Sequence, residues 1–312
     1  MRLLITGVHG FVVSNLVDAV KADNMIYGLD IIAPAKDGVE YTFNWNELDK
    51  DELPEVDAIV HLAGKAHDTK NKSVADAYFK VNRDLTIKIF DYFCAHPSIK
   101  KFVFFSTAKA AADKVDGILT EDVIPTPVGP YGESKIAAEN YILEHLPAGK
   151  DVYIFRPCMI HGPGNKGNLN LLYNVVRKGF PWPLGAFDNR RTFTSIENIC
   201  YAVNGVLTKE VPTGIYNMGD DEALSTNELI EEICKSLDKK AHIWQLPKGL
   251  MNGVAKVGGW LHLPLNPERL RKLTENYVSS NAKIKSALGI DKMPVDAREG
   301  LKVTLDSFKN DR

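Results

Sequence analysis

Cysteine is scarce in this chain. Cys94, Cys158, Cys200 and Cys234 are the four among 312 residues, far apart, with no CxxC pair and no histidine at zinc spacing. That spacing argues against a disulfide framework and against a structural metal site, and suits free thiols in a reducing compartment. No block of basic residues occurs, and a net charge of −2 with a pI of about 6.5 is the wrong balance for a nucleic-acid surface. No apolar run approaches the ~20 residues of a spanning helix. Outside the strands, the longest apolar-leaning stretch, Gly249 to Leu265, is interrupted by glycines, Lys256 and His262. It is expected to form a helix packed on the protein's own core. Internal repeats, low-complexity tracts and disordered linkers are absent as well. Met1 to Thr6 already reads as a buried strand, which leaves no room for a signal peptide and leads us to expect a cytoplasmic protein.

What remains has the makeup of a soluble enzyme: 45% hydrophobic and 25% charged residues, in a chain long enough for one large domain or two joined ones. The first half alternates apolar runs with helical periodicity. Arg2–Thr6, Met25–Asp30, Val56–Ala63, Lys101–Ser106 and Val152–Phe155 read as strands. Gly10–Lys21, a long stretch from about Ser73 to Ala95, and Tyr131–His145 read as helices. Strands apolar on both faces, separated by helices, give an α/β fold with a doubly wound parallel sheet of the Rossmann type. After about Pro163 proline and glycine rise, and a helix from Thr226 to Leu237 is capped by Ser225. This predicts a cofactor-binding domain over residues 1–165, to which 191–218 returns. A smaller mixed α/β substrate lobe then comprises 166–190 and 219–312.

Gly7-x-x-Gly10 lies between the first strand and the first helix. The first glycine permits a tight turn; the second lets backbone approach a pyrophosphate at the helix N-terminus, where Phe11 and Val12 open the helix. Asp30 ends the second strand, placed to accept hydrogen bonds from an adenosine ribose and to repel a 2′-phosphate, so NAD is expected rather than NADP. Val13 stands where the third glycine of this fingerprint usually falls, which predicts a slightly displaced helix with binding retained. Further along, Tyr131 and Lys135 are four apart within a helix and project from one face. A cation beside a phenol favours the phenolate, so Lys135 is expected to lower the pKa of Tyr131 and make it a proton acceptor.

With these residues in view, the chain resembles the extended short-chain dehydrogenase/reductases, in the NAD-dependent epimerase/dehydratase family that acts on nucleotide sugars. The likeness runs over nearly the whole chain. Asp57 to Gly64 resembles the second cofactor-contacting strand, which implies contacts from Leu62, Ala63 and Gly64. Val81-Asn82 resembles the central-helix asparagine, and Arg156-Pro157 through Gly164 the strand and loop beside the nicotinamide. Arg190 to Asn198 resembles the segment whose arginine grips the sugar-nucleotide diphosphate, with Arg191 the first choice and Asn168 a weaker nucleotide contact.

The resemblance also implies a third catalytic hydroxyl after the fourth strand. By register this is Thr107, with Ser106 the reserve and a second substrate contact. Lys135 would also hold the nicotinamide ribose. A 4,6-dehydratase of the family follows this threonine with an Asp-Glu pair, whereas this chain has Ala108-Lys109. The expected activity is therefore 4-epimerisation of a UDP-hexose or UDP-N-acetylhexosamine through a 4-keto intermediate. The alternative is NAD(P)H-dependent reduction of a UDP-4-keto-6-deoxy-N-acetylhexosamine, and a remote one a non-catalytic NAD-binding sensor. Met159 replaces an asparagine common in galactose epimerases. His61 is expected to be packed or cofactor-adjacent, His161 to line the pocket, and Trp244 and Trp260 to pack in the lobe. Homodimerisation is implied through Asn82–Ala95 and Tyr131–His145. In this setting the Gly249–Leu265 stretch has a second reading, an interfacial foot at a membrane where the product feeds lipid-linked glycan assembly.

Overall fold

Apolar residues on both faces of a strand require cover on both sides, and the first strand shows how the chain supplies it. In a computed structural model, which describes residues 1–32, 34–65, 74–261 and 265–310, Leu3 and Ile5 enter one core while Leu4 enters the other. Ser73 and His262, named above, lie outside the described residues. Seven strands pair in parallel in the order Gly214–Met218, Asp151–Pro157, Lys101–Phe105, Ala58–His61, Arg2–Thr6, Met25–Asp30, Tyr41–Asn44. Leu3 lies opposite Ile26 on one side and Ala58 on the other. Strand order reverses there, which opens a crevice beyond the carboxyl ends of Arg2–Thr6 and Ala58–His61.

The helices Phe11–Val20 and Ile196–Thr208 cover the first core through Val13, Leu16 and Val17 on one and Ile199 and Val203 on the other. Leu85–Ala95 and Pro130–Glu144 cover the second through Ile89, Phe90, Phe93, Ala138 and Ile142. The strand Gly214–Met218 completes the edge beside Asp151–Pro157. The later helices Asn168–Arg177, Thr226–Ser236 and Ala297–Asn310 form their own apolar cluster, centred on Tyr173, Ile233 and Leu305. Ser225 caps the second of these through a reciprocal box with Glu228.

Two expectations need correction. The long central helix is not uniform: α-turns at Ala75–Tyr78 and Leu85–Ala95 flank a π-helical segment, Phe79–Asp84. This π-helical turn carries Asn82, which is fully buried. Helical periodicity in sequence does not reveal such a turn. The helix Lys248–Trp260 is also only half packed. Met251, Ala255 and Gly258 are buried, while Leu250, Val254, Val257 and Trp260 are exposed, Trp260 at 80%. Trp244 is exposed too, so neither tryptophan packs in the lobe.

Strand Asp151–Pro157 and helix Pro130–Glu144 are joined by a buried ion pair. Glu139 accepts from Arg156 Nε at 3.0 and 3.1 Å and from Nη2, and it also accepts the Ser106 hydroxyl. Both charged side chains are essentially inaccessible, 2% for arginine and 0% for glutamate. Removing one partner strands the other charge in a dry interior. Glu139→Ala is therefore expected to lower stability by about 3–5 kcal/mol in urea unfolding; a loss under ~1 kcal/mol would show that the pair is dispensable.

Candidate active site

The glycine turn at the head of the first helix is as tight as its sequence implies. Gly7 has φ +73°, and a Cβ there would come within 2.9 Å of the Ala63 backbone. Thr6 fixes the opposite wall: its Oγ1 accepts from the amides of Leu62 and Ala63 at 3.1 and 2.9 Å. His61 is fully buried, bonding Thr6 through Nδ1 and Thr86 through Nε2. Burial, and then the charge of Lys135, hold its imidazole well below the ordinary value, so it is a neutral brace between the strand Arg2–Thr6 and the helix Leu85–Ala95. Gly10, the N-cap of the helix Phe11–Val20, makes no side-chain cap, which leaves the first amides of that helix for an anion. Asp30 stands beside the turn, its Oδ2 accepting from the His9 amide at 3.2 Å and Oδ1 from Ile31 at 2.7 Å.

Above this turn lies a cavity of about 510 Å³. Gly7, Gly10, Phe11, Val12, Leu62 and Gly64 line one part; Ser106, Thr107, Tyr131, Lys135, Asn168 and Arg191 line the rest. Val13 is buried and also lines it, leaving it open. Ala63 and Asn82 stand just behind the lining. Asn82 accepts from the Lys65 amide at 2.7 Å and donates to Lys65 O and Ser134 Oγ, bracing the loop that carries Gly64. A Cβ on Gly64 would lie 3.2 Å from Lys135 Nζ and 3.1 Å from Asn82 Oδ1. A dinucleotide suits this cradle: bare backbone, uncapped amides and an acid at the ribose end.

Thr107, Tyr131 and Lys135 meet in this cavity, but their coupling differs from the sequence expectation. The Lys135 ammonium donates to the Phe105 carbonyl at 2.8 Å and lies 4.9 Å from the centre of the Phe104 ring. It is drawn toward the sheet, and burial lowers its pKa to about 8, with Glu139 opposing. Tyr131 is moved up from its ordinary value by burial; the opposing effect is a hydrogen bond from the Thr107 hydroxyl. In the isolated chain, therefore, the acidifying neighbour of the phenol is the threonine rather than the lysine. Thr107 is held for this by its own position, capping the turn Ala108–Ala111.

Three further placements change. Ser106 lines the cavity and gives its hydroxyl proton to Glu139, so toward a substrate its oxygen can accept but not donate. His161 does not line the pocket: it is buried, Nδ1 2.8 Å from Thr304 Oγ1 and Nε2 3.7 Å from Asp220 Oδ2. Arg191 reaches the cavity wall with its guanidinium donated to the Lys272 carbonyl. Sequence reasoning missed Glu275 and Tyr277, which also line the cavity. They come from a loop far along the chain, and nothing local in their sequence marks them. Glu275 is paired with Arg271 at 3.1 Å, and Lys109, after the catalytic-position threonine, turns to Asp113 at 2.9 Å.

The NAD dependent epimerase/dehydratase family profile matches residues 3–219. A UDP-glucose 4-epimerase of Vibrio cholerae is 31% identical over 262 residues, covering 78% of each chain. The N-acetyl-alpha-D-glucosaminyl-diphospho-ditrans,octacis-undecaprenol 4-epimerase of Escherichia coli O157:H7 is 27% identical, covering 91% of this chain and 84% of its own. Among solved structures, a UDP-glucuronic acid 4-epimerase of Bacillus cereus in complex with NAD superposes with a TM-score of 0.75 at 21% identity, covering 99% of both; at that identity it shows the shared fold. The chain belongs to the NAD-dependent epimerase/dehydratase family, and NAD is its cofactor. Gly7→Ala, strained at positive φ and pressed against Ala63, should weaken NAD binding at least about tenfold by calorimetry; unchanged affinity would place the dinucleotide elsewhere.

Proposed function

We propose that this family member is a 4-epimerase of a UDP-hexose or UDP-N-acetylhexosamine. One observation carries the reading: Thr107 and Tyr131, hydrogen-bonded to each other, face the same cavity as the glycine turn. The segment after the threonine has no acid–base carboxylate pair, and Lys109 there is tied to Asp113. Elimination of water from C5 and C6 lacks the carboxylate pair at that position, which favours oxidation and reduction at one ring carbon.

Gly7 and Gly10 would hold NAD, which in its oxidised form would supply a hydride acceptor and a positive charge. Tyr131 then takes the proton of the sugar 4-hydroxyl, and Thr107 donates a hydrogen bond that steadies the resulting charge. The product of that half-reaction is a 4-keto sugar, to whose oxygen Tyr131 returns the same proton when the ring is reduced from its other face. Lys135, one helical turn from the phenol with its ammonium on the Phe105 carbonyl, is assigned to the nicotinamide ribose. Asp30 selects the ribose hydroxyls. Arg191 and Asn168 are assigned to the diphosphate and nucleotide, because a guanidinium fits phosphate bidentately. Support for a homodimer comes from Tyr141, which donates to Asp91 at 2.7 Å and joins the helices Leu85–Ala95 and Pro130–Glu144 into one outer face; Leu143 and Leu146 are exposed beside it. No helix among the described residues is long and apolar enough to cross a membrane, and we place the dimer in the cytoplasm. A second reading, a polyprenyl diphosphate in place of the uridine diphosphate, follows the name of the E. coli relative. The exposed apolar helix Lys248–Trp260 favours it.

The deciding experiment follows products by NMR from a panel of UDP-sugars and one polyprenyl-diphospho-N-acetylglucosamine, with and without NADH. Interconversion of 4-epimers without added reductant is expected; stoichiometric NADH consumption would replace the epimerase reading by 4-keto reduction. Tyr131→Phe should cut kcat by about 10²–10⁴-fold with NAD affinity kept; comparable activity in the variant would end the assignment of the phenol. The pH dependence is also fixed in sign. Burial brings Lys135 to about 8, so its ammonium is intact below that pH and lost above it, and kcat/KM should fall as pH rises through about 8. A rate unchanged across that range would show that the ammonium takes no part.

A further inference from the structure

The helix Lys248–Trp260 has an apolar arc wider than the protein covers. Met251, Ala255 and Gly258 face inward, packing with Leu270 of the helix Pro267–Thr274 and with Leu184. Next to them runs a second stripe at helical spacing, Leu250, Val254, Val257 and the following Leu261, each about half exposed, with Trp260 at 80%. A stripe of this kind on a water-facing helix has to be covered by something. The helix carries Lys248 and Lys256 and no acid. From Leu246 to Lys272 the sequence has Lys248, Lys256, Arg269, Arg271 and Lys272 against Glu268 alone, in a chain of net charge −2. Of these, Arg271 and Lys272 are paired with acids, while Lys248, whose ammonium lies 5.7 Å from the centre of the Phe187 ring, and Lys256 are exposed.

We infer that this helix docks on an anionic lipid surface, lying flat with its apolar stripe in the headgroup region. Apolar residues with a terminal tryptophan, flanked by lysines, are the composition that such a surface attracts. At 13 residues the helix is about 20 Å long, too short to span a bilayer and long enough to lie in its interface. A second copy of the chain suits the face less well, because a two-fold contact would bring Lys248 and Lys256 toward their own equivalents. The docking face is one helix from the active-site cavity: Met251 and Ala255 pack on Leu270, and the carbonyl of Lys272 in that same helix receives the Arg191 guanidinium. The inference holds for either sugar diphosphate considered above, since it concerns the surface and not the reaction.

Vesicle flotation tests it on the full chain, with phosphatidylcholine alone and with ~30% phosphatidylglycerol. The protein should float with the anionic vesicles and stay behind with the neutral ones, and Trp260 emission should shift to the blue, a shift lost in Trp260→Phe. Val257→Ser with Trp260→Ser, both at exposed positions, should weaken vesicle binding by about tenfold or more with the melting temperature and epimerase activity kept. Lys248→Glu with Lys256→Glu should do the same. Failure to float with anionic vesicles, or flotation indifferent to the serine pair, would overturn the inference. So would a serine pair that changes only the sedimentation of the protein itself, which would assign the stripe to contact between copies.

Discussion

Three charges are buried together beneath the reactive face, and the rest of the site depends on their mutual compensation. Arg156, from the sheet, and Glu139, from the tyrosine helix, neutralise one another; Lys135, one turn before Glu139, feels the same carboxylate. Each alone would carry a desolvation penalty of several kcal/mol. Together they let a helix carrying an ammonium lie directly on an apolar sheet. Their presence also fixes the Ser106 hydroxyl: a carboxylate with two oxygens in a dry interior needs more donors than one guanidinium presents in that geometry, and the serine supplies one.

The balance of that cluster sets the proton chemistry above it. A buried lysine at about 8 is close enough to neutral pH to respond to a change of charge nearby, whereas an exposed one would not. A phenol raised by burial and held by a threonine hydroxyl is a reluctant acid until positive charge arrives. The isolated protein thus keeps Tyr131 protonated; on the function proposed above, the positive charge of oxidised cofactor would be what releases its basicity. Such a coupling would confine proton removal to complexes in which a hydride acceptor is also present.

Much of this was legible in the sequence because it is local. The glycine turn, the acid ending the second strand and the Tyr131–Lys135 pair each occupy a few consecutive residues, and strand–helix alternation fixed where they fall. What escaped was set by distance. Glu275 and Tyr277 reach the cavity from the far end of the chain, and the short strand Tyr41–Asn44 extends the sheet at its edge with little apolar content to announce it. His161 was misplaced because its neighbours, Thr304 and Asp220, come from elements remote in sequence. The direction of the Lys135 side chain was misjudged for a different reason. Spacing of four places two side chains on one face, but only the carbonyl of Phe105 and the ring of Phe104 decide which way the longer one turns.

How the later lobe is attached bears on how the site operates. Arg191 exchanges both backbone hydrogen bonds with Leu224, Thr192 donates to the Tyr277 carbonyl, and the Tyr277 amide donates to Arg190, each at 2.8 to 2.9 Å. The Tyr277 hydroxyl reaches back to the Ala112 carbonyl at 2.9 Å, and the strand Phe193–Ser195 pairs with Met159–His161 directly after the sheet's own Asp151–Pro157. These bonds run through the residues that line the cavity, so the wall bearing Arg191 cannot swing away without breaking several at once. On the epimerase reading proposed above, both faces of one ring carbon would have to be presented to the same groups, which a wall of fixed position suits. Cross-bracing of this kind supplies that fixity with backbone groups, and side-chain bonds add to it: the Arg191 guanidinium is held by the Lys272 carbonyl and Glu275 by Arg271.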